Sequence, residues 1–524
     1  MENHYHSNIK RSWDLEPDRI LKILLGFLIA FNIFILLSKL DNTIYDWHEF
    51  RQAQVLLTIY WFFEDFNLFS YITPCRGYPW AIPMEFPFYQ LLAACLAKVL
   101  PFLSLEAVGR IVSSAFNLAA IYPLWKIAFR YTKDTLFSLT ILCLYLAMPF
   151  YIYWAATVLP NSCALFFCLL FLWALIRLGD HPTVLNMIWA SAWGVMAINI
   201  MPTFIISFGI AGYLHIFIVN RKTLLTNKKR LAILLFPGLI SCVTVLVWLS
   251  WSNALKSSNP RASMMSSANW RWYFGTLGQR LDNTWWHLLW DRLRIEHLST
   301  AGLASLSVMA LYMRDISERS KNLLWAAVCF FFFMLPIMAM FGMHVIHNIY
   351  QAQCNVFLIG CIAFLIYPNT SNSKMLKLFS YMLGAVCLIM LWGFKVSYII
   401  NGGFPSMYSL ALPDHPLVAQ DIKENTPEDS CVIIYATWSP DILFYAQRKG
   451  LSYNDEAGGR DIVTLEYLND TLKNGMGGLP LGAVAVRNTY VPRHEALDEF
   501  IASLDNPVKK DIGTFTIYYL TSKQ

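Results

Sequence analysis

The sequence predicts a polytopic α-helical membrane protein that ends in a small α/β domain. Three observations predict it. Of the 524 residues, 56% are hydrophobic and only 14% charged, against about 25% charged in ordinary soluble domains. Eleven apolar stretches are close to the length that a hydrocarbon layer of about 30 Å requires, and from about residue 413 the pattern changes to short alternating and polar segments.

The first apolar run, about 21–39, follows Lys10, Arg11, Arg19 and Lys22. It reads as a signal anchor with residues 1–20 in the cytosol, because it is long enough to span and lacks a small-residue cleavage site. The remaining candidate spans are 107–129, 135–153, 158–178, 184–200, 203–219, 231–251, 301–313, 323–342, 348–367 and 376–399, of which 301–313 is short. The stretch 88–101 contains Lys98 and stops at Pro101, so it reads as an interfacial or re-entrant helix. A crossing there would reverse every later side unless Pro202 kinks one long span.

Charge placement orients the chain. Lys and Arg are enriched in cytoplasmic loops. The loop with Arg221, Lys222, Lys228, Lys229 and Arg230 is therefore inside, as are Arg130, Lys133, Arg314, Arg319, Lys321, Lys374 and Lys377. That leaves the first loop (40–88), the segment 253–300, the turn 344–348 and everything after Gly402 outside. The net charge of +6 follows from this topology and gives no reason to expect a nucleic-acid partner. The eleven cysteines show no CxxC and no metal-ligand spacing; most lie in apolar runs, as small hydrophobes do.

Segment 253–300 is rich in aromatics: Trp270, Trp272, Tyr273, Trp285, Trp286 and Trp290, with His287 and His297. Trp and Tyr favour the headgroup level. An amphipathic helix on the bilayer and a wall of a lipid-substrate groove both fit, and the two are compatible. In the C-terminal domain (413–524), strands are expected at 431–435 and 483–486, helices at 440–449, 463–473 and 493–503, and a hairpin of 508–512 with 514–520 around Gly513.

Three clusters carry the chemistry. The first is Asp46-Trp-His-Glu-Phe-Arg-Gln52, just past the first span. A carboxylate there is suited to take a proton from an acceptor, and Arg51 to grip a phosphate. The bland reading is a solvated helix start. The second is Pro83-Met-Glu85-Phe-Pro-Phe-Tyr89, where flanking prolines fix the backbone around Glu85. Its bland reading is an acid complementing a helix N-terminus. The third is Met343-His344-Val-Ile-His347-Asn-Ile-Tyr350-Gln351, with His347 and Tyr350 on one helical face. A histidine at a membrane surface is more often simply hydrated.

An Asp soon after the first span, a Glu–Pro element leading into an apolar stretch (Glu85-Phe-Pro-Phe-Tyr89) and a late His-x-x-Tyr (His347, Tyr350) together resemble the protein O-mannosyltransferase and aminoarabinose-transferase group. These are membrane glycosyltransferases of the GT-C fold. Trp438-Ser-Pro-Asp-Ile-Leu-Phe-Tyr-Ala-Gln-Arg-Lys449 is similar to the C-terminal domain of many bacterial members. The likeness lies in the order of these elements along nearly the whole chain. It implies a GT-C-like domain over 21–402 with about 11–13 transmembrane helices, and an extracytoplasmic α/β domain over 413–524. It also implies a polyprenyl-phosphate sugar as donor and an outer-facing site in the cytoplasmic (inner) membrane.

On the same likeness Asp46 is the catalytic base and Glu85 organises the site. His48, Arg51, Gln52, Arg76, Arg271, His347, Tyr350 and Gln351 are substrate-binding candidates, with Arg280 as a further phosphate partner. A divalent metal is open, with Glu85 and His347 as its candidate ligands. Asp46, Glu85 and His347 are then expected to converge within about 10 Å, since reacting groups must nearly touch. The chain departs from the pattern at Ala155, Ala156 and Asn161, where many relatives carry an Arg and then an acid. It departs again at Met201-Pro202, where many carry Lys-Pro. Two rivals stand beside sugar transfer: an inactive relative acting as a scaffold, and a transporter of lipid-linked sugars. The second would favour mid-span charges and related halves, and this sequence has few of the former and none of the latter. The sequence leaves the oligomeric state open.

Overall fold

The computed structural model describes residues 16–45, 48–222, 226–265, 270–313, 319–368, 370–400, 414–436, 439–453, 464–488 and 495–520. Seven helices among these are long and apolar enough to cross a membrane: Pro17–Lys39, Leu105–Thr132, Asn161–Asp180, Lys228–Ser257, Lys321–Ala339, Asn348–Ile366 and Ser373–Phe394. Val184–Ile200, Ile205–Asn220 and Thr300–Tyr312 are shorter apolar helices. Each of the eleven expected stretches is thus an apolar helix or a pair of them. The expected span 135–153 departs from a straight rod. It breaks into Thr135–Ala147 and Pro149–Ala155, bent by 61°, because Pro149 lacks an N–H and disfavours helical backbone at Met148. Phe88–Val99 is a separate helix of 12 residues, about 18 Å long, short of a crossing.

Asn161–Asp180 is the buried axis of the bundle, 78% of its apolar window being covered by neighbours. Its 20 residues span about 30 Å, so its two ends mark the two ends of the bundle. At the Asp180 end, Arg130 grips that carboxylate with Nε and Nη2 at 2.7 Å each. His215 Nε2 lies 3.2 Å from the same side chain, and Arg230 donates to Asn220. Arg130 and Arg230, from two of the basic loops, therefore lie at one end. At the other end Asn161 lies against Ile349 and Met201, and there the candidate residues collect.

The C-terminal sheet has the order β2-β1-β3-β5-β4, with β1 Cys431–Tyr435, β2 Lys449–Tyr453, β3 Leu481–Arg487, β4 Val508–Ile512 and β5 Phe515–Tyr519. β1 runs parallel to β2 and β3, and β5 antiparallel to β3 and β4. The helix expected over 440–449 stops at Ala446, where Gln447 takes a left-handed backbone. The chain then turns into β2. A Cβ on Gly450 would lie 2.2 Å from the Val432 carbonyl, so the strands approach closely only because that residue is glycine. Trp438 lies outside the described residues.

Candidate functional site

Asp46 and Trp47 lie outside the described residues, while the chain on either side is fixed. His48 caps the helix Glu49–Glu64 with φ 59, a left-handed conformation uncommon outside glycine. Its Nε2 donates to Asn348 Oδ1 at 3.3 Å, and Asn348 Nδ2 donates to Glu296 Oε2 at 2.5 Å. An amide oxygen only accepts, so Nε2 carries the proton. Burial lowers the His48 pKa to about 4, against the Asn348 contact that favours the charged form, and the ring is neutral at physiological pH. Burial raises the Glu296 carboxyl above its ordinary range, and Arg292 only partly opposes this.

Beside this pair lies the second cluster. The Arg51 guanidinium meets Glu85 through Nη2, at 2.6 Å to Oε1 and 2.5 Å to Oε2. Its Nη1 donates to Gln54 Oε1 at 3.1 Å and approaches Met84 Sδ at 3.2 Å. Gln90, on the helix Phe88–Val99, donates to Glu85 at 2.7 Å. Burial works against the Arg51 charge, but Glu85 outweighs it and holds the group above its ordinary pKa. The Glu85 backbone is fixed by more than its prolines. Tyr71 Oη donates to the Glu85 carbonyl at 2.8 Å and accepts from Met84 N at 2.7 Å. Trp248 Nε1 donates to the Met84 carbonyl at 3.0 Å, and Phe86 N donates to Asn199 O at 2.9 Å.

Aromatic rings join the clusters. His347 packs on His48 with ring centroids 4.9 Å apart, on Trp272 at 5.9 Å and on Tyr350 at 5.9 Å. Trp154 closes the other side of His48 at 5.2 Å. Tyr350 and Tyr71 stand within electrostatic reach of Arg51. The His-x-x-Tyr spacing thus connects the His48 cluster to the Arg51–Glu85 pair. Trp272 reaches this wall because two glycines let the backbones touch. A Cβ on Gly342 would sit 2.5 Å from the Trp272 carbonyl, and Gly275, at φ +67, lies against Gly342. Arg292 fastens the turn by donating to the His344 carbonyl at 2.9 Å.

The other candidates take supporting places. Gln52 is buried, and its Oε1 accepts from Val158 N at 3.0 Å, tying the helix to the segment after Pro149–Ala155. Gln351 is buried and donates to His344 O at 3.4 Å. Arg271 is exposed beside Trp270. Arg280 binds the Phe274 carbonyl at 2.6 Å and that of Met338 at 3.2 Å, closing a helix end. Arg76 is a correction of place: its buried Nη1 donates to the Ser452 carbonyl of β2 at 2.8 Å, so it joins the loop to the C-terminal domain. As for a metal, both Glu85 oxygens are held by Arg51, and His347 is packed among rings. Among the described residues no group of three His, Cys, Asp or Glu side chains is arranged to hold an ion.

Sequence reasoning passed over Glu296, Asn348, Trp154 and Lys256. Lys256 is 3% exposed on the long helix Lys228–Ser257, within electrostatic reach of Glu85. A charge near the end of an apolar run looks like a snorkelling end residue, and only the fold turns it inward. Asn348, inside the third motif, was the legible signal. Asn161 and Met201, the two departures, face each other, with Nδ2 3.9 Å from Sδ. A cavity of about 260 Å³ lies toward the basic end, lined by Ile127, Phe208, Trp325, Phe332 and Phe364 with Tyr131. Its walls are almost wholly apolar and carry no carboxylate.

No family model matches the chain, and no curated protein matches it either. Solved structures do. The chain is similar to ArnT from Cupriavidus metallidurans bound to undecaprenyl phosphate, with TM-score 0.56 and 12% identity over 94% of this chain and 97% of that one. It is also similar to the archaeal oligosaccharyltransferase AglB from Archaeoglobus fulgidus in complex with an inhibitory peptide and a dolichol-phosphate. There the TM-score is 0.51 and the identity 11%, over 91% of this chain and 70% of that one. The apo form of the Archaeoglobus fulgidus oligosaccharyltransferase gives TM-score 0.51 at 9% identity, over 89% and 69%. The chain has the GT-C fold, with a multi-pass helical bundle and a small C-terminal sheet domain.

Proposed function

We propose that this protein transfers a sugar from a polyprenyl-phosphate donor to an acceptor outside the cytosol, with inversion at the anomeric carbon. The observation that carries the reading is the Arg51–Glu85 pair, with Lys256 close by, beside the His48–His347–Tyr350 wall at the end of the bundle away from the basic loops. The fold supports it, because ArnT and AglB are solved with undecaprenyl phosphate and dolichol-phosphate. In this reading the site lies at the outer face of the cytoplasmic membrane, and the C-terminal domain lies on the same side.

The chemistry needs little machinery. The acceptor hydroxyl or amine gives its proton to a carboxylate, and its lone pair forms the new bond to the anomeric carbon. The bond from that carbon to the phosphate oxygen breaks, and its electrons leave with polyprenyl phosphate. Glu85 is committed to Arg51 and Gln90, so the base falls to Asp46. Cations close to the departing phosphate stabilise its growing charge. Lys256 takes that role, and Arg51 shares it while Glu85 keeps its fork in place. Neutral His48 and His347 with Tyr350 shape the donor pocket. Asn161 and Met201, both neutral, favour a second reading, a relative that binds the carrier without transferring sugar.

Proteoliposomes supplied with a panel of polyprenyl-phosphate sugars test the choice. One donor is expected to turn over with wild type, and Asp46→Asn is expected to lose at least a hundredfold in kcat, the upper part of what a general base supplies. Equal turnover by both proteins removes Asp46 as the base. Binding without turnover of any donor favours the non-transferring reading.

A further inference from the structure

The C-terminal domain touches the candidate site at neither Arg51 nor Glu85, yet it holds the chain on both sides of the helix that carries Arg51. Before the helix, Ile44 N donates to Tyr445 Oη at 3.2 Å. The Tyr45 ring stacks on Tyr445 with centroids 5.5 Å apart and planes 28° from parallel. Tyr445 sits on the helix Asp441–Ala446, whose first residue is itself locked: His415 Nδ1 and Asp441 Oδ2 are 2.6 Å apart, both side chains fully buried. From the opposite side the buried Arg110 donates to the Asn42 carbonyl at 2.5 Å and to that of Thr43 at 2.9 Å. Residues 42–45 are thus gripped between the bundle and the domain.

After the helix the loop is held again. Gly450 N donates to Pro74 O, Gly77 N to Gly450 O and Ser452 N to Cys75 O, each at 3.1 Å. Residues 74–77 therefore lie along the free edge of β2, joined to it by an antiparallel bridge between Arg76 and Leu451, and Arg76 reaches across to Ser452. Asn259 binds the carbonyls of Gly77 and Pro79 at 3.0 and 3.1 Å. Gly77, at φ +76, approaches the Gly475 carbonyl, a closeness that a side chain would prevent.

We propose that the C-terminal domain is a positioning element for sugar transfer: it clamps the chain before and after Glu49–Glu64 and so sets where Arg51 meets Glu85 and the donor. This rests on the sugar-transfer reading of the site. A long loop joined to a membrane bundle at two points pays ordering entropy at every turnover unless something fixes it beforehand. A shift of about 1 Å in a reacting group can lower a rate about a hundredfold. A backbone bridge to β2 and a half-buried tyrosine stack remove that freedom in the resting protein.

The test uses the full chain in lipid, with Tyr445→Phe and Tyr445→Ala. The first removes the hydroxyl bonded to Ile44, and the second removes the stack as well. Hydrogen exchange in peptides covering residues 40–56 is expected to speed up in the order wild type, Phe, Ala. Donor turnover is expected to fall about tenfold for Phe and about a hundredfold for Ala, with donor KM within twofold. Lys509→Ala, on the exposed far strand β4, is expected to change neither. Unchanged exchange at 40–56 in Tyr445→Ala, with the domain still folded, overturns the clamp. A raised acceptor KM with unchanged exchange does so too, and assigns the domain to acceptor docking. If Tyr445→Ala does not fold, the Phe variant decides alone on the same criteria. If wild type transfers no sugar, exchange still decides whether the clamp exists, and it is the sugar-transfer reading that fails.

Discussion

Glu85 shows how one residue changes meaning with its partner. Alone in sequence it is an acid ahead of a helix. In the fold both its oxygens accept from Arg51, and the carboxylate is one half of an ion pair. Removing one member of a fully buried pair costs about 3–5 kcal/mol, because a charge is left without its partner. The Arg51 side chain is 23% exposed and that of Glu85 9%, so water recovers part of that. Glu85→Gln is expected to lose about 2–3 kcal/mol, read as a lowered Tm in detergent. Arg51→Met with Glu85→Met is expected to recover part of it, since no charge is then stranded. A Glu85→Gln protein as stable as wild type would show that the pair contributes nothing to the fold.

At the level of elements, a short turn and a short helix carry two buried imidazoles, His297 and His344, and a third, the half-buried His48, precedes the helix Glu49–Glu64. Burial lowers His297 and His344 to about 3, and His48 to about 4. His297 is on the turn Arg292–His297 and His344 on the helix Phe341–Ile346. The sign follows from proton counting. Below a pH of about 6.5 the unfolded chain binds protons that the folded one refuses, so acid favours unfolding. The stability these groups lend is whole above 6.5 and is lost as pH falls from there toward 3. At pH 5 each such imidazole costs about 2 kcal/mol. Thermal stability in detergent is expected to drop between pH 7 and 5, and His344→Phe to flatten that slope. A slope that is equally steep in the variant would mean that His344 is not held neutral.

For the whole molecule, Arg130 and Arg230, from two of the basic loops, lie at the Asp180 end of the central helix and the polar cluster at the Asn161 end. About 30 Å of helix separates them. From the positive-inside tendency the cluster and the C-terminal domain are expected on the far face. Cysteine labelling checks this in cells, starting from a chain in which the exposed Cys95 and Cys242 are serine. Asp505→Cys is expected to react with a membrane-impermeant maleimide in spheroplasts. Lys229→Cys is expected to react only after permeabilisation. The reverse pattern would place the cluster in the cytosol, where the proposed donor chemistry has no place.

The apolar runs marked where the apolar helices form, seven of them among the described residues long enough to cross a membrane, because hydrocarbon thickness sets helix length whatever the neighbours are. Alternation and turn residues likewise marked most of the C-terminal strands, and the order of three short motifs pointed to the GT-C fold. Pairing was a different matter. That Arg51 belongs to Glu85, that Glu296 reaches Asn348 and that Arg76 serves the sheet domain are contacts between residues 34, 52 and 376 positions apart, and Lys256 turns inward only in the packed bundle. Periodicity along a chain encodes which face of an element is apolar. It does not encode which polar side chain meets which across the bundle, and that was decided only when the helices packed.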